Sequence, residues 1–207
     1  MSITTLLRSL VDVIVPTVEA HCDTADGPAV VDGRRALETG NINYALKWIQ
    51  PDGEAELAKV FAKSLAVRKL GADAAEVADR LFLETLVRLH RMGEGVGFTG
   101  IQPAGASIDP IVVSADRALE VGDDRDVVAL APAERRDELH RRFAVALGKK
   151  GFDVNDVAAA RDYVAAYVSF FKYAEGEDHP HGHAAHGQDA HQANAEAHAH
   201  HSHDTHR

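Results

Sequence analysis

The sequence predicts an all-α fold: a helical bundle built from two homologous helical repeats, followed by a disordered His-rich C-terminal tail. Helix-forming residues dominate, and alternating runs of β-branched residues are scarce. Apolar residues recur at three-and-four spacing between Pro, Gly and Asn residues, which is typical of amphipathic helices. With 207 residues, of which 45% are hydrophobic, the chain can bury a sizeable core as one domain or two small ones.

The repeat has one constant offset, 82 positions (110 minus 28), and needs no gaps. It aligns residues 35–38 with residues 117–120, and both segments read Arg-Ala-Leu-Glu. We therefore predict an internal duplication over 28–94 and 110–176, joined by the Gly-rich loop 95–109. That loop lacks the preceding strand and following helix of a phosphate-binding loop, so its glycines instead indicate close backbone packing against residues 21–27 or the helix ends.

Four helices are expected in the first repeat. The first begins at Pro28 and ends at Gly40, the second is short and capped by Asn41, the third stops near Gly71, and the fourth covers about 73–92. The apolar residues of the second helix are Tyr44, Leu46, Trp48 and Ile49, and those of the third are Leu57, Val60, Phe61 and Leu65. Those of the fourth are Val77, Leu81, Leu83, Leu86, Val87 and Leu89.

The second repeat copies this pattern, with Asp123, Pro132 and Gly151 at its boundaries. Two such halves packed about a pseudo-twofold axis are the simplest way to bury both sets of apolar stripes. A homo-oligomer stays open as an alternative assembly.

The net charge limits the partners of the protein. A formal charge of −10 argues against nucleic acid and anionic membrane surfaces as partners, because both require clustered cations. No apolar run is long enough to span a bilayer. Since the chain has a single cysteine, it forms no internal disulfide, and cysteine usage does not indicate a compartment.

Residues 1–20 allow two interpretations. They form either a short amphipathic N-terminal helix or a leader removed by proteolysis. As an export signal the segment is poor, because Arg8 and Asp12 interrupt its apolar stretch. A cytoplasmic protein is favoured, and export after leader cleavage is the alternative. Cleavage after Ala20 would give His21 a free amine.

Residues 21–27, which we call the hook, concentrate side chains that bind metals. His21, Cys22, Asp23 and Asp26 offer imidazole, thiolate and carboxylate within six positions. The competing interpretation is a small buried cysteine, an aspartate that caps a helix and a histidine without a role.

The two repeats differ in the fourth helix, where Glu84, His90 and Glu94 of the first repeat align with Ala166, Lys172 and Gly176 of the second. Residues four apart are neighbours on one helical face, so His90 and Glu94 are expected to meet. Either His90 is a core histidine bonded to Glu94, or His90 with Glu84 or Glu94 completes or orients a metal site at the hook.

The composition changes abruptly at residues 177–207, which have little apolar surface to bury and are expected to be disordered. Histidines there would capture nickel, zinc, copper or cobalt by multivalent binding, and a pH-responsive solubilising tail is the alternative. The predicted capture residues are His179, His181, His183, His186, His198, His200, His201 and His203.

The hook resembles that of nickel-containing superoxide dismutase, in which a leader is cleaved just before a His-Cys-Asp sequence. The resemblance implies that the amine and imidazole of His21 and the thiolate and backbone amide of Cys22 bind nickel. Asp26 stands where that family has a second cysteine, so a carboxylate, a harder ligand, would replace one of the family's two thiolates. The HCD-x-x-DGP start and duplicated body are also similar to an uncharacterised bacterial family, many of whose members have His-rich tails.

Three functions follow. The first is a transition-metal-binding protein whose ion is nickel in preference to zinc, copper, cobalt or iron. The second is a redox enzyme of the superoxide dismutase type, with His21, Cys22 and His90 as catalytic residues. The third is a helical interaction domain without a metal site in its core. The absence of a second cysteine favours the metal-binding protein.

Overall fold

The computed structural model describes residues 21–105 and 108–176. The predicted leader or N-terminal helix, 1–20, and the predicted His-rich tail, 177–207, lie outside the described residues. The described part of the chain is all-α, as predicted, and contains eight α-helices. Its single β-type pairing is an isolated parallel bridge between Thr24 and Gln102.

The first half of the body, residues 28–94, has its helices close to the predicted bounds. They are α1 (Pro28–Thr39), α2 (Asn43–Leu46), α3 (Glu54–Val67) and α4 (Ala72–Gly93). Short 3₁₀ segments, Pro51–Gly53 and Arg68–Leu70, flank α3. Gly40 ends α1 with a left-handed φ of 68°, a conformation that glycine adopts at little cost.

The second half, residues 110–176, contains α5 (Pro110–Val121), α6 (Arg125–Leu130), α7 (Arg136–Lys149) and α8 (Val157–Ala174). A 3₁₀ segment, Ala133–Arg135, precedes α7. The bounds of α5 and α7 are those of α1 and α3 moved by 82 positions, the offset found in the sequence. Duplication of the sequence itself stays a prediction, with which these bounds agree.

Each half packs its long helices around its own apolar centre. Helix α4 packs on α1 and α3, and α8 packs on α5 and α7. Phe61 contacts Phe82 in the first half, and Phe143 contacts Phe170 in the second, with ring centroids 5.3 and 5.6 Å apart. These clusters belong to one continuous buried core.

Two apolar residues of α4 do not face the core as predicted. Val77 and Leu81 are 69% and 55% exposed. The buried stripe instead includes Ala78, Phe82 and Leu86. Val77 and Leu81 each precede a residue of this stripe by one position, and one position turns a side chain by about 100° around the helix axis, away from the core.

The halves are joined where α8 meets the segment after α2. The Arg161 guanidinium donates to the carbonyl oxygens of Ile49 (3.0 Å) and Leu46 (3.1 Å) and pairs with Glu54 at 2.6 Å. The guanidinium thus satisfies the carbonyl at the end of α2, Leu46, and the carbonyl of Ile49, which follows the helix, through charge-assisted hydrogen bonds. Among the described residues, no helix is both long and apolar enough to cross a bilayer.

Candidate functional site

The hook folds into a tight buried turn between the two halves. Residues 21–23 form a 3₁₀ turn, and His21, Cys22 and Asp23 are each less than 10% exposed. The turn closes when the N–H of Gly27 donates to the carbonyl of Thr24 (2.9 Å). A Cβ at Gly27 would lie 2.3 Å from the His21 carbonyl oxygen, so only glycine fits here.

A second segment lies across the hook, and we call residues 94–105 the strap. Its Gln102 accepts from the N–H of Ala25 (2.9 Å) and donates its own N–H to the carbonyl of Asp23 (3.0 Å). The N–H of Gly105 donates to the Asp26 carboxylate (3.0 Å). The strap therefore covers the hook and is attached to it at both Asp23 and Asp26.

His21 is anchored through one ring nitrogen. Its Nε2 lies 2.7 Å from Asp116 Oδ2 and 3.2 Å from the hydroxyl of Tyr167, which donates to Asp116 Oδ1 (2.8 Å). Because a carboxylate only accepts, the proton of the neutral ring lies on Nε2. Nδ1 then holds a lone pair, and it is buried with no hydrogen-bond partner among the described residues.

His90 repeats this arrangement with the nitrogens exchanged. Its Nδ1 lies 2.8 Å from the carbonyl oxygen of Trp48, which can only accept, so Nδ1 carries the proton. Nε2 is buried without a hydrogen-bond partner in the described part of the chain, and Glu94 Oε1 lies 3.8 Å from it. Both histidines are thus held by one N–H and keep one buried lone pair.

Asp23 adds a third unpaired atom. One of its oxygens pairs with Arg91, whose Nε also donates to the strap at the carbonyl of Gly97. The other oxygen, Oδ1, is buried with no hydrogen-bond partner within 21–105 and 108–176. Burial raises the pKa of the Asp23 carboxyl, while the hydrogen bond from Arg91 and the charge of Arg91 act in the opposite direction.

Cys22 is 5% exposed and lies among negative charges. Burial raises the pKa of its thiol well above the ordinary value, and the charges of Glu94, Asp23 and Asp116 raise it further. Lys172 acts in the opposite direction. The thiol is therefore protonated at neutral pH, which is unsuited to a nucleophilic cysteine but allows metal binding with loss of the proton.

Five of the seven predicted metal ligands lie in this region: His21, Cys22, Asp23, His90 and Glu94. The other two lie elsewhere. Asp26 is exposed and bonds the strap, and Glu84 pairs with Arg80 (2.8 Å) on the outer side of α4. As the side chains stand, no group of three or more His, Cys, Asp or Glu residues in the described part of the chain is arranged to hold a metal ion.

Sequence reasoning missed the groups that orient His21. Asp116 lies on α5 and Tyr167 on α8, both in the second half. A signal for them existed, because at the offset of 82 they align with Arg34 and Thr85, which differ in charge and size. The comparison of halves that selected His90 would have selected these two residues as well.

Comparison with known proteins gives a family but no described activity. A family model described as a family of unknown function (DUF6448) matches residues 26–173. No curated protein and no solved structure matches the chain. The matched range includes α1 to nearly the end of α8 and begins just after His21, Cys22 and Asp23.

Proposed function

We propose that this chain, which belongs to the family of unknown function DUF6448, binds a divalent transition-metal ion between its hook and the end of α4. The ligands would be His21 Nδ1, the Cys22 thiolate and His90 Nε2, with a carboxylate from Asp23 or Glu94.

The observation that carries the proposal is a set of three buried donor atoms that have no hydrogen-bond partner within residues 21–105 and 108–176: His21 Nδ1, Asp23 Oδ1 and His90 Nε2. Leaving a buried polar atom unpaired costs about 1–3 kcal/mol. Three such atoms in the same region as a buried thiol would be costly for packing alone, whereas a cation that draws these side chains together would satisfy all three.

The second nitrogen of each histidine supports the same conclusion. A histidine that binds a metal generally donates its other N–H to a carboxylate or a backbone carbonyl, which fixes the ring and exposes a lone pair. His21 has the carboxylate of Asp116, and His90 has the carbonyl of Trp48. In a histidine that serves only packing, both nitrogens are expected to be satisfied.

The donor types limit the ion. Two imidazoles, one thiolate and one carboxylate suit zinc, cobalt, nickel or copper(II), and they do not suit the hard cations magnesium and calcium. The side chains must close by rotation around the ion, and the Cys22 proton must leave. Storage or delivery by the His-rich tail stays a prediction from the sequence.

Two enzymatic functions are less well supported. Asp26, at the position of the second cysteine of nickel superoxide dismutase, is exposed and bonds Gly105, so the hook has one soft ligand. A cysteine nucleophile oriented by His21 and Asp116 would require an accessible thiolate, whereas the Cys22 thiol is buried and its pKa is raised. We therefore propose binding without a reaction.

The test uses the full chain titrated with cobalt(II). Because Cys22 is the only cysteine, a thiolate-to-cobalt charge-transfer band reports this site alone, whatever the tail histidines bind. We expect the band to appear and saturate in the wild type, to vanish in Cys22→Ser, and to require at least tenfold more cobalt in His90→Gln.

Two glutamates, one within α4 and one directly after its end, provide a matched control. Glu94→Gln is expected to weaken the band, because Glu94 lies beside His90, whereas Glu84→Gln is expected to leave it unchanged, because Glu84 pairs with Arg80. A wild-type chain that binds cobalt with no thiolate band would refute the proposal and assign all binding to other groups.

A further inference from the structure

We infer that Asp116 and Tyr167 are positioning residues that make His21 a metal ligand, so that the second half of the chain controls the affinity of a site whose ligands all come from the first 94 residues. This inference rests on the proposed function.

The geometry places the three side chains in one chain of hydrogen bonds. Tyr167 donates its hydroxyl proton to Asp116 Oδ1 (2.8 Å), and His21 Nε2 donates to Asp116 Oδ2 (2.7 Å). Both carboxylate oxygens of Asp116 are thus used, one by each partner. Asp116 consequently has a fixed orientation toward the His21 ring.

Packing holds the members of this chain in place. The Tyr167 ring is 6% exposed and lies against Phe171 and Trp48, with centroids 5.1 and 6.3 Å away. The His21 ring meets Phe171 edge-on at 5.8 Å. These aromatic contacts limit rotation of both rings. The hydrogen bond between His21 Nε2 and Asp116 therefore determines which of the two neutral tautomers His21 adopts.

Only one tautomer of His21 leaves Nδ1 able to bind an ion. With the proton on Nε2, Nδ1 is a lone-pair donor, and Nδ1 is the buried atom that has no hydrogen-bond partner within the described residues. With the proton on Nδ1, an N–H would be buried there instead, and no metal could bind. A carboxylate beside Nε2 stabilises the first form and increases the basicity of Nδ1.

An amide in place of this carboxylate tests the inference. Asp116→Asn keeps the size of the side chain, but its NH₂ can donate to Nε2 and move the ring proton to Nδ1. We expect cobalt affinity, read from the Cys22 charge-transfer band, to fall by about 10–100-fold. Tyr167→Phe keeps the ring and removes one hydrogen bond to Asp116, so we expect a smaller fall.

The matched control is the second Asp–His pair of the structure. Asp124 Oδ2 lies 2.6 Å from His140 Nδ1 on α7, and no hook residue takes part in this pair. Asp124→Asn should leave the band and its affinity unchanged. Urea unfolding of each variant separates a loss of affinity from a loss of stability.

A direct readout is the tautomer of His21 in the metal-free protein, measured by ¹⁵N NMR of labelled histidine and assigned with His21→Gln. We expect the Nε2–H form in the wild type and its loss in Asp116→Asn. An Nδ1–H form in the wild type, or an affinity unchanged in Asp116→Asn, would overturn the inference while leaving the metal site itself intact. A missing charge-transfer band in the wild type would instead defeat the proposed function.

Discussion

At the scale of single residues, adjacent side chains of the hook have different surroundings. His21 points to a hydrogen-bonded carboxylate, Cys22 lies among negative charges, and Asp23 pairs with Arg91. The turn that separates them exists because Gly27 lets the backbone approach the His21 carbonyl. The local backbone geometry of the hook therefore determines which of its side-chain atoms have hydrogen-bond partners and which do not.

The raised pKa of the Cys22 thiol makes stability depend on pH in the alkaline range. The fold keeps this proton longer than the unfolded chain does, so its contribution is fully present below the unfolded thiol pKa of about 8.5. Above that pH, stability should fall by about 1.4 kcal/mol per pH unit until the folded thiol ionises. Urea unfolding between pH 8 and about pH 9.5 measures this slope; the upper limit stays below the unfolded tyrosine pKa of about 10, above which Tyr163 and Tyr167, whose pKa values are also raised, would add to it.

Cys22→Ala is the control for this experiment, because alanine has no proton to lose. Its unfolding free energy should vary less steeply with pH over the same range. Equal slopes in the two proteins would show that the thiol ionises as readily in the fold as in the unfolded chain.

Gly27→Ala should destabilise the protein by about 1–3 kcal/mol, because the added Cβ would lie 2.3 Å from the His21 carbonyl oxygen and the backbone must move. We expect it to lower the cobalt affinity as well, since the hook would be displaced. Gly148→Ala in α7 is the matched control: a Cβ there meets nothing within 4 Å, so stability should stay the same or rise. Urea unfolding compares the two, and equal stabilities would contradict the role given to Gly27.

The sequence predicted part of the site at this scale. Cys22, His21 and His90 stood out because of their chemistry, and the differences between the halves singled out His90 and Glu94. Asp26 and Glu84 have suitable side chains, but the structure pairs them with other groups. The type of a residue shows what its side chain is able to bind. The partner that the side chain has in the fold also depends on which residues distant in sequence lie beside it.

At the scale of elements, helix bounds were predictable because their causes are local. Pro28, Gly40 and Gly71 stop or start helices through their backbone preferences, and these positions agree with α1 and α4. The orientation of α4 was partly wrong at Val77 and Leu81, because both faces of its first turns carry apolar residues. Packing of the Gly-rich loop against the hook or the helix ends was predicted, but the backbone hydrogen bonds that fix its crossing over the hook were not, since they join distant segments.

The strap should limit access to the hook. Asp26→Ala removes the acceptor for the Gly105 N–H, so the strap should open more often and Cys22 should react several-fold faster with a thiol reagent. Asp153→Ala, which removes a similar turn acceptor for Asn155 in the second half, should leave that rate unchanged. If labelling is equally fast in all three proteins, with urea showing equal global stability, the strap does not control access.

At the scale of the whole molecule, the halves cooperate through a few polar contacts. Arg161 connects α8 to the end of α2 and to Glu54, and Asn155 accepts from the side-chain amides of Asn41 and Asn43 (3.1 and 3.2 Å). The hook adds the contact of His21 with α5 and α8. Movement of the halves relative to each other would therefore displace His21, one of the proposed metal ligands.

Arg161→Ala tests this joint. Loss of its charged hydrogen bonds to the carbonyls of Ile49 and Leu46 should destabilise the protein by about 2–3 kcal/mol. Arg125→Ala is the control, because Arg125 is exposed and pairs only locally with Asp123, so its removal should have no measurable effect on urea unfolding. Similar midpoints for the two variants would mean that Arg161 does not hold the halves together.

The 82-residue register has a consequence for stoichiometry. By that register the counterparts of His21, Cys22 and Asp23 are Pro103, Ala104 and Gly105, none of which has a side chain that coordinates ions. The architecture is doubled, but its coordinating equipment is not. The proposed function therefore predicts one cation per folded body, bound at the hook, and no equivalent site at residues 103–105.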